Sequence, residues 1–388
     1  MSYATQKLRD ISVIKTGKLD SNAAVENGAY PFFTCDPQTL RINKWAYDTE
    51  AVLLAGNNAS GNYTAKYYRG KFNAYQRTYI IEAADSERLS VRFLCYAINQ
   101  QLRLLKAMSS GSTTKFLTIR MLHNLDIPCP EIEVQDRIVN VLGTIDDLIE
   151  NNQKQIKLLE ETARRLYKEW FVNFRFPGYE DTPIVDGVPE GWEIRPSSDV
   201  FTFIRGKSYT SKELSNNQGT LMVNLKNISA FGGYNRNAEK RFTGKYKEEQ
   251  QLTPGDIIMG VTDMTQERRL VGHTAMVPDL KEKMTFSMDL IKLIPISVSK
   301  NYLYGTMLYG GFSYKISPLA NGVNVLHLKP EAIMNLPILV PSSSVMEAFD
   351  NVFNPICFRI ESLQEQIDVA SEARDRLLPK LMSGEIEV

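Results

Sequence analysis

The sequence predicts an α+β fold built twice. Two tandem globular domains should sit at opposite ends of an antiparallel two-helix coiled coil, related by a pseudo-twofold axis. Three observations carry this. The chain has 388 residues, where one domain usually runs to about 100–200. Its second half repeats its first. Each half closes on a long ladder of apolar residues at helical spacing.

The repeat is seen by shifting the sequence 211 positions. Residues 110–130 (SGSTTKFLTIRMLHNLDIPCP) then fall on 321–341 (NGVNVLHLKPEAIMNLPILVP). Gly111 meets Gly322, Leu117 meets Leu328, Ile127 meets Ile338 and Pro130 meets Pro341. The match runs on without a gap through Ile145/Ile356, Gln153/Gln364 and Leu166/Leu377. Nearer each domain start the offset drifts. Gly17-Lys18 resembles Gly206-Lys207, and VLLAG (52–56) resembles DIIMG (256–260).

The ladders alternate steps of four and three residues. The first reads Ile138, Leu142, Ile145, Ile149, Asn152, Ile156, Leu159, Ala163, Leu166, Trp170. The second reads Phe349, Phe353, Ile356, Ile360, Leu363, Ile367, Ala370, Arg374, Leu377, Leu381. Such spacing kept over several heptads is a coiled-coil seam. Asn152 is the polar seam residue that can fix register. Pro355 is costly inside a helix, so either the second helix kinks there or its regular part begins there. A ladder of this length spans roughly 50 Å at about 1.5 Å per residue.

The expected division is a first domain at 1–130, a first long helix at 131–172, a connection at 173–194, a second domain at 195–341 and a second long helix at 342–388. Val52–Ala55, Tyr79–Ile81, Ile257–Met259 and Leu290–Ile294 read as strands beside Gly and Pro turns. Residues 89–106 read as one helix, with Leu94, Ile98, Leu102 and Leu105 on a face.

Composition narrows the class. With 43% hydrophobic and 23% charged residues, the chain is neither disordered nor collagen-like. No apolar run is long enough for a membrane span, and the start MSYATQKLRD has no apolar h-region. Cys35, Cys95, Cys129 and Cys357 form no C-x-x-C pair, which argues for a reducing cytoplasm and against a zinc site. Net charge is zero, but it is unevenly spread. Residues 1–130 hold 16 Lys/Arg against 10 Asp/Glu, and 195–341 hold 18 against 12. The stretches between and after them are acidic. Two basic modules on an acidic frame suggest two anion-binding units.

Three segments then carry a family resemblance: residues 110–150, LYKEWFVNF (166–174) with DGVPEGWE (186–193), and RDRLLPKLMSGEIEV (374–388). With the repeat, they cover the whole chain, which resembles the specificity subunit of type I restriction-modification enzymes. The resemblance implies that each domain is a target-recognition domain reading one part of a bipartite double-stranded DNA target. It implies that the helices set the spacing and dock two modification subunits. Those partners would bind S-adenosylmethionine and methylate adenine at N6, and two restriction subunits with ATP and Mg would join for cleavage. No cofactor is expected in this chain. One departure stands out: the second copy has SSSVMEAFDN where the first has EIEVQDRIVN.

The residues agree with a non-catalytic role. Asn354-Pro355-Ile356-Cys357 lacks the second Pro of an adenine-methyltransferase loop and lies inside the ladder. No G-x-G-x-x-G fingerprint is present, and Gly206-Lys207-Ser208 fails as a P-loop because Phe201 replaces the first Gly. Pro278-Asp279 lacks the rest of a nuclease motif. His123, His273 and His327 have no metal-ligand spacing, so no metal site is expected.

Candidate DNA contacts follow from the need for Lys and Arg on phosphates and for Asn, Gln or Arg on base edges. In the first half they are Lys18, Asn57, Asn58, Lys66, Arg69, Lys71 and Arg77, with Ser112, Thr113 and Lys115 at a turn tip. In the second half they are Lys207, Thr262, Gln266, Arg268 and Arg269, with Asn324 at the matching tip. The ruler implies two short tracts around an unread spacer near one helical turn, about 34 Å per 10 base pairs. An enzyme acting alone, a coiled-coil scaffold, and the reader of a related system with fused modification and nuclease functions are the competing readings.

Overall fold

The computed structural model describes residues 3–388 except 59–60, 110–114, 237 and 239. The candidates Ser112 and Thr113 therefore lie outside the described residues. The chain forms two compact units, residues 1–152 with 366–388, and residues 153–365.

In the first unit a six-stranded sheet runs in the order Ser12–Thr16, Thr78–Ala83, Tyr47–Ala55, Ala65–Ala74, Tyr30–Phe33, Leu40–Ile42. All neighbours are antiparallel except Tyr30–Phe33 beside Ala65–Ala74. Side chains alternate across a strand, so the central strand serves two cores. Val52 and Leu54 join Ile81, Phe93, Leu94, Ile98 and Leu142 in one. Ala51 and Leu53 join Phe33, Phe72 and Ile80 in the other. The helix expected over 89–106 is broken in two, Val91–Gln100 and Leu102–Met108. Ser90 caps the first piece through the Phe93 amide. At the break, Gln101 turns out of helical geometry and donates Nε2 to the Asp126 carbonyl at 2.6 Å.

The second unit repeats the central sheet in the order Phe201–Arg205, Leu290–Pro295, Ile257–Gly260, Thr274–Met276. It adds a second sheet of five short strands, with Leu221, Val223, Ile258, Met284 and Phe286 in the core between them. Helix Lys300–Leu308, capped by Ser299, takes the place of Val91–Gln100. Entry and exit strands also correspond. Thr5–Lys7 pairs with Asp126–Pro128, and Glu193–Pro196 pairs with Pro337–Val340. Residues 173–194 fold onto this unit. They hold the hairpin Ile184–Val185/Val188–Pro189, and Trp192 packs against Phe171, Phe174 and Phe176 with centroids 5.0–5.9 Å apart.

Strand pairing corrects one sequence match. Leu54 faces Tyr79 and Met259 faces Ile291, while Thr16 faces Tyr79 and Arg205 faces Ile291. Hence Leu54 corresponds to Met259, and Val52–Ala55 to Ile257–Gly260. The match of VLLAG to DIIMG is one residue out of register, a slip that would turn every side chain to the wrong face.

The long helices are Ile132–Tyr167 and Ser343–Ser383. Within the first unit they run antiparallel. Arg137 donates to the Val388 carbonyl at 2.6 Å, Arg374 meets Asp146 at 3.2 Å, and Asn152 meets Gln366 at 3.0 Å. Within the second unit Arg359 donates to Gln155 at 3.2 Å, and Tyr167 and Trp170 pack on Phe349. Both directions agree with an antiparallel pair. Every ladder residue, including Ile145, Ile149, Ile156, Leu159, Ile356, Ile360, Leu363 and Ile367, is buried or half-buried. Pro355 does not start the second helix, which begins twelve residues earlier and continues through it. The first helix ends in a π-turn, Lys168–Val172, closed by the Asn173 amide on the Lys168 carbonyl at 2.9 Å.

Candidate nucleic-acid interface

Most of the candidates cluster at one end of each central sheet. In the first unit, Ser12–Thr16 and Tyr47–Ala55 finish there, and Ala65–Ala74 and Thr78–Ala83 begin there. Asn57 and Asn58 continue from the central strand and pair with Phe116 and Lys115. The Leu117 amide donates to the Gly56 carbonyl at 2.8 Å. The second unit has the same junction. Thr262 and Asp263 pair with His327 and Leu326, and the Leu328 amide donates to the Val261 carbonyl at 2.8 Å. The loop after the central strand is thus joined to the segment that leads to the long helix.

The Gly-Lys pairs lie at the same end. Gly17 donates its amide to Thr78 and Gly206 to Leu290, each at 3.1 Å. A Cβ on Gly17 would stand 2.2 Å from the Ala74 carbonyl oxygen, and one on Gly206 would stand 2.0 Å from that of Ser287. Only glycine fits so close to a neighbouring backbone. Lys18 and Lys207 follow directly, Lys18 exposed and Lys207 half-buried. Arg77 is also exposed here, and its carbonyl accepts from Gly56 at 2.9 Å.

The remaining basic candidates of the first unit are not brought together. Lys66 is half-buried, bonds to Thr39 at 3.1 Å and to the Asp36 carbonyl at 3.4 Å, and has its pKa lowered by burial, against the pull of Asp36. Arg69 and Lys71 occupy the opposite face of that strand from Lys66. They face Glu50 and Asp48 on the neighbouring strand. The Lys71 ammonium sits 4.8 Å over the Trp45 ring. The interleaved rings of Tyr63, Tyr67, Tyr68 and Phe72 go into packing.

In the second unit three of the polar candidates, Thr262, Gln266 and Arg269, are bonded within the protein. Thr262 Oγ1 meets Asp289 at 3.2 Å, and Gln266 Nε2 donates to the Val323 carbonyl at 2.9 Å. Arg269 pairs with Glu267. Arg268 adopts a φ of 52°, and its Nε is buried with no partner among the described residues. Asn324 is exposed on the tip.

Sequence reasoning missed Asp263, the organiser of this loop. Its Oδ1 accepts from Thr265 N and Oγ1, both at 2.8 Å, and its Oδ2 from Leu270 N at 2.7 Å and Val271 N at 3.3 Å. Burial opposes the charge, but these bonds outweigh it and hold the carboxyl below its ordinary pKa. The readable signal was Asp263-Met264-Thr265, an Asx-turn pattern. Beneath the loop, His273 is buried between the rings of Phe231 and Tyr314, at 5.6 and 5.3 Å. Burial lowers its pKa, with Asp263 opposing.

A separate cavity of about 490 Å³ in the first unit is lined by Tyr67, Arg92, Tyr96, Asp146 and Arg374, among others. Its charges satisfy one another: Tyr96 donates to Asp146 at 2.5 Å and Arg92 to Asp147 at 2.8 Å. Asn354, in the string weighed against a methyltransferase loop, accepts from Asn301 at 2.8 Å. Among the described residues no cluster of His, Cys, Asp and Glu could hold a metal, and no helix is long and apolar enough to cross a membrane.

A duplicated α+β unit, each copy bringing a variable loop onto a fixed junction at the foot of a long helix, defines a two-module recognition protein. The profile of the type I restriction modification DNA specificity domain matches residues 2–161 and 189–355. The chain belongs to that family and carries its domain twice. It is 33% identical over 178 residues to the EcoDI specificity subunit of Escherichia coli, covering 46% of this chain and 38% of that one. It is 28% identical over 306 residues to the MjaIX specificity subunit of Methanocaldococcus jannaschii, covering 73% and 66%. The match thus spans less than two thirds of either relative. The MjaVIII specificity subunit of the same organism matches at 21% over 377 residues, 93% of this chain and 87% of that one. A crystal structure of the type I S subunit from M. genitalium has the same fold, with TM-score 0.64, 16% identity and coverage of 98% and 96%.

Proposed function

We propose that this chain is the DNA-reading subunit of a type I restriction-modification complex and performs no chemistry itself. Each unit reads one tract of a bipartite double-stranded target. The two helices set the spacing between tracts and dock two modification subunits, which bind S-adenosylmethionine and methylate adenine. Where the system also cleaves, two restriction subunits with ATP and Mg join the assembly, which works in the cytoplasm. The functional division is 1–130 and 195–341 as readers, 131–172 and 342–388 as helices, and 173–194 as the connection.

The observation that carries this reading is the repeated junction. Asn57-Asn58 and Thr262-Asp263 occupy equivalent backbone positions with different side chains. A fixed frame with variable side chains is what two different half-sites require. The Gly-Lys pair at the same end of each sheet supplies a cation suited to phosphate.

The test is a methylation map. The chain is expressed with its modification subunit in a host lacking adenine methylation, and N6-methyladenine is read genome-wide. A single bipartite motif that disappears without this chain is the expected result. Unchanged methylation without it would defeat the reading. Incubation of the purified chain with labelled S-adenosylmethionine and DNA should transfer no label.

A further inference from the structure

We propose that the second unit presents an apolar reading head, Met264 and Val323, to thymine C5-methyl groups in the major groove. This rests on the reading of that junction as a DNA contact. The observation behind it is how the loop uses its side chains. Three of its polar side chains are bonded within the protein: Thr262 to Asp289, Gln266 to the Val323 carbonyl, Arg269 to Glu267. The Asp263 carboxylate, itself 0% exposed, closes both ends of the six residues 264–269 by taking Thr265 at one end and Leu270 and Val271 at the other. Glu267, Arg269 and Asn324 also face outward, and among them stand two large apolar side chains. Met264 is 79% exposed and Val323 is 89% exposed.

These two lie on adjoining segments. Asp263 pairs with Leu326, which brings the residues after 263 beside those before 326. The Gln266 bond then ties the loop to Val323 itself. Fully exposed apolar side chains on a pinned loop gain nothing for folding, and they suit a partner with apolar features. On a base-pair edge in the major groove, the apolar feature is the thymine methyl. Lys207, at the same end of the sheet, supplies the cation for the backbone beside it.

The first unit differs at the equivalent position. Asn58 replaces Asp263, an amide in place of the carboxylate, and its Oδ1 accepts from the Asn62 amide at 3.2 Å. Its loop is four residues shorter, 59–64 against 264–273. The inference therefore concerns one tract only, and the other serves as an internal control.

The test uses the assembled complex with its modification subunits and the mapped target. Thymines are replaced one at a time by deoxyuridine, which lacks only the methyl. Expected is a loss of about fourfold per contacted methyl, confined to positions in one tract. A Met264→Ser, Val323→Ser double variant should bind thymine and deoxyuridine alike at those positions, with discrimination in the other tract and thermal unfolding unchanged. Two results overturn the inference: deoxyuridine tolerated throughout both tracts, or losses that persist in the double variant. A complex that binds the mapped motif yet ignores the methyls overturns this inference alone. One with no sequence-specific binding overturns the functional reading with it.

Discussion

Asn152 donates its side-chain amide to Gln366 across the helix pair at 3.0 Å, and Asn152 is only 2% exposed. The residue that breaks the apolar ladder is therefore satisfied by a partner from the opposing helix. Ile149 precedes it on the first ladder, and Leu363 and Ile367 flank the pairing on the second; all three are buried. A polar pair enclosed this way costs stability against a hydrophobic pair but penalises every register in which it is broken.

Asn152→Ala should lower the unfolding free energy by about 1 kcal/mol through the lost hydrogen bond. Asn152→Leu should cost less, or raise stability, because it adds apolar contact at the seam. Urea unfolding of both variants checks this. Equal destabilisation by Ala and Leu would show that the site acts through something other than burial and one hydrogen bond.

Gly17→Ala and Gly206→Ala should each destabilise the unit that holds them by about 1–3 kcal/mol, the usual cost of overpacking. The added methyl would meet a backbone carbonyl oxygen at 2.2 Å or 2.0 Å, and a backbone cannot swing aside as a side chain can. Thermal unfolding of the two variants measures it. A Gly187→Ala control meets no atom within 4 Å, so its cost should come only from a φ of 84°.

The architecture was legible because it is written in repeated, local patterns. The 211-residue offset holds without a gap from the tip through the long helices, so both ladders and their polar seam positions could be read directly. The recognition end was less legible because strand register decides it. Lys66 and Arg69 look like one basic cluster in the sequence, yet three residues along a strand put them on opposite faces. The slip between VLLAG and DIIMG comes from matching Gly56 to Gly260; it sets the charged Asp256 on Val52, the one side chain that speaks against that register. Asp263 acts on amides seven and eight residues away, Leu270 and Val271. A local reading could have found its turn with Thr265 but not the closure of the loop.

Stability should depend on pH through His273. Its pKa lies below the ordinary 6.5 because burial disfavours the charged ring. The unfolded chain therefore takes up the proton first. The contribution is fully present above about pH 6.5 and is lost as pH falls toward the folded-state value. The unfolding free energy should thus decline from pH 6.5 to 5.5, above the range where ordinary carboxylates titrate. His273→Gln should flatten that part of the curve. An unchanged slope in the variant would assign the proton uptake to another group.

Lys18→Ala and Lys207→Ala should weaken DNA binding by a similar factor on every sequence, since a phosphate contact carries no base information. Each should also reduce the slope of log K against log salt by about 0.9, the counterion release of one phosphate contact. Lys71→Ala is the matched comparison. Its strand partner is Asp48, and its ammonium lies over Trp45. It should leave both affinity and slope unchanged. Fluorescence anisotropy of the assembled complex on a labelled duplex, from low to physiological salt, reads all three. If Lys71 lowered the slope and Lys18 did not, the DNA would have to lie against the strand face that carries Lys71, and the Gly-Lys pair would be there only for the close backbone packing its glycine allows.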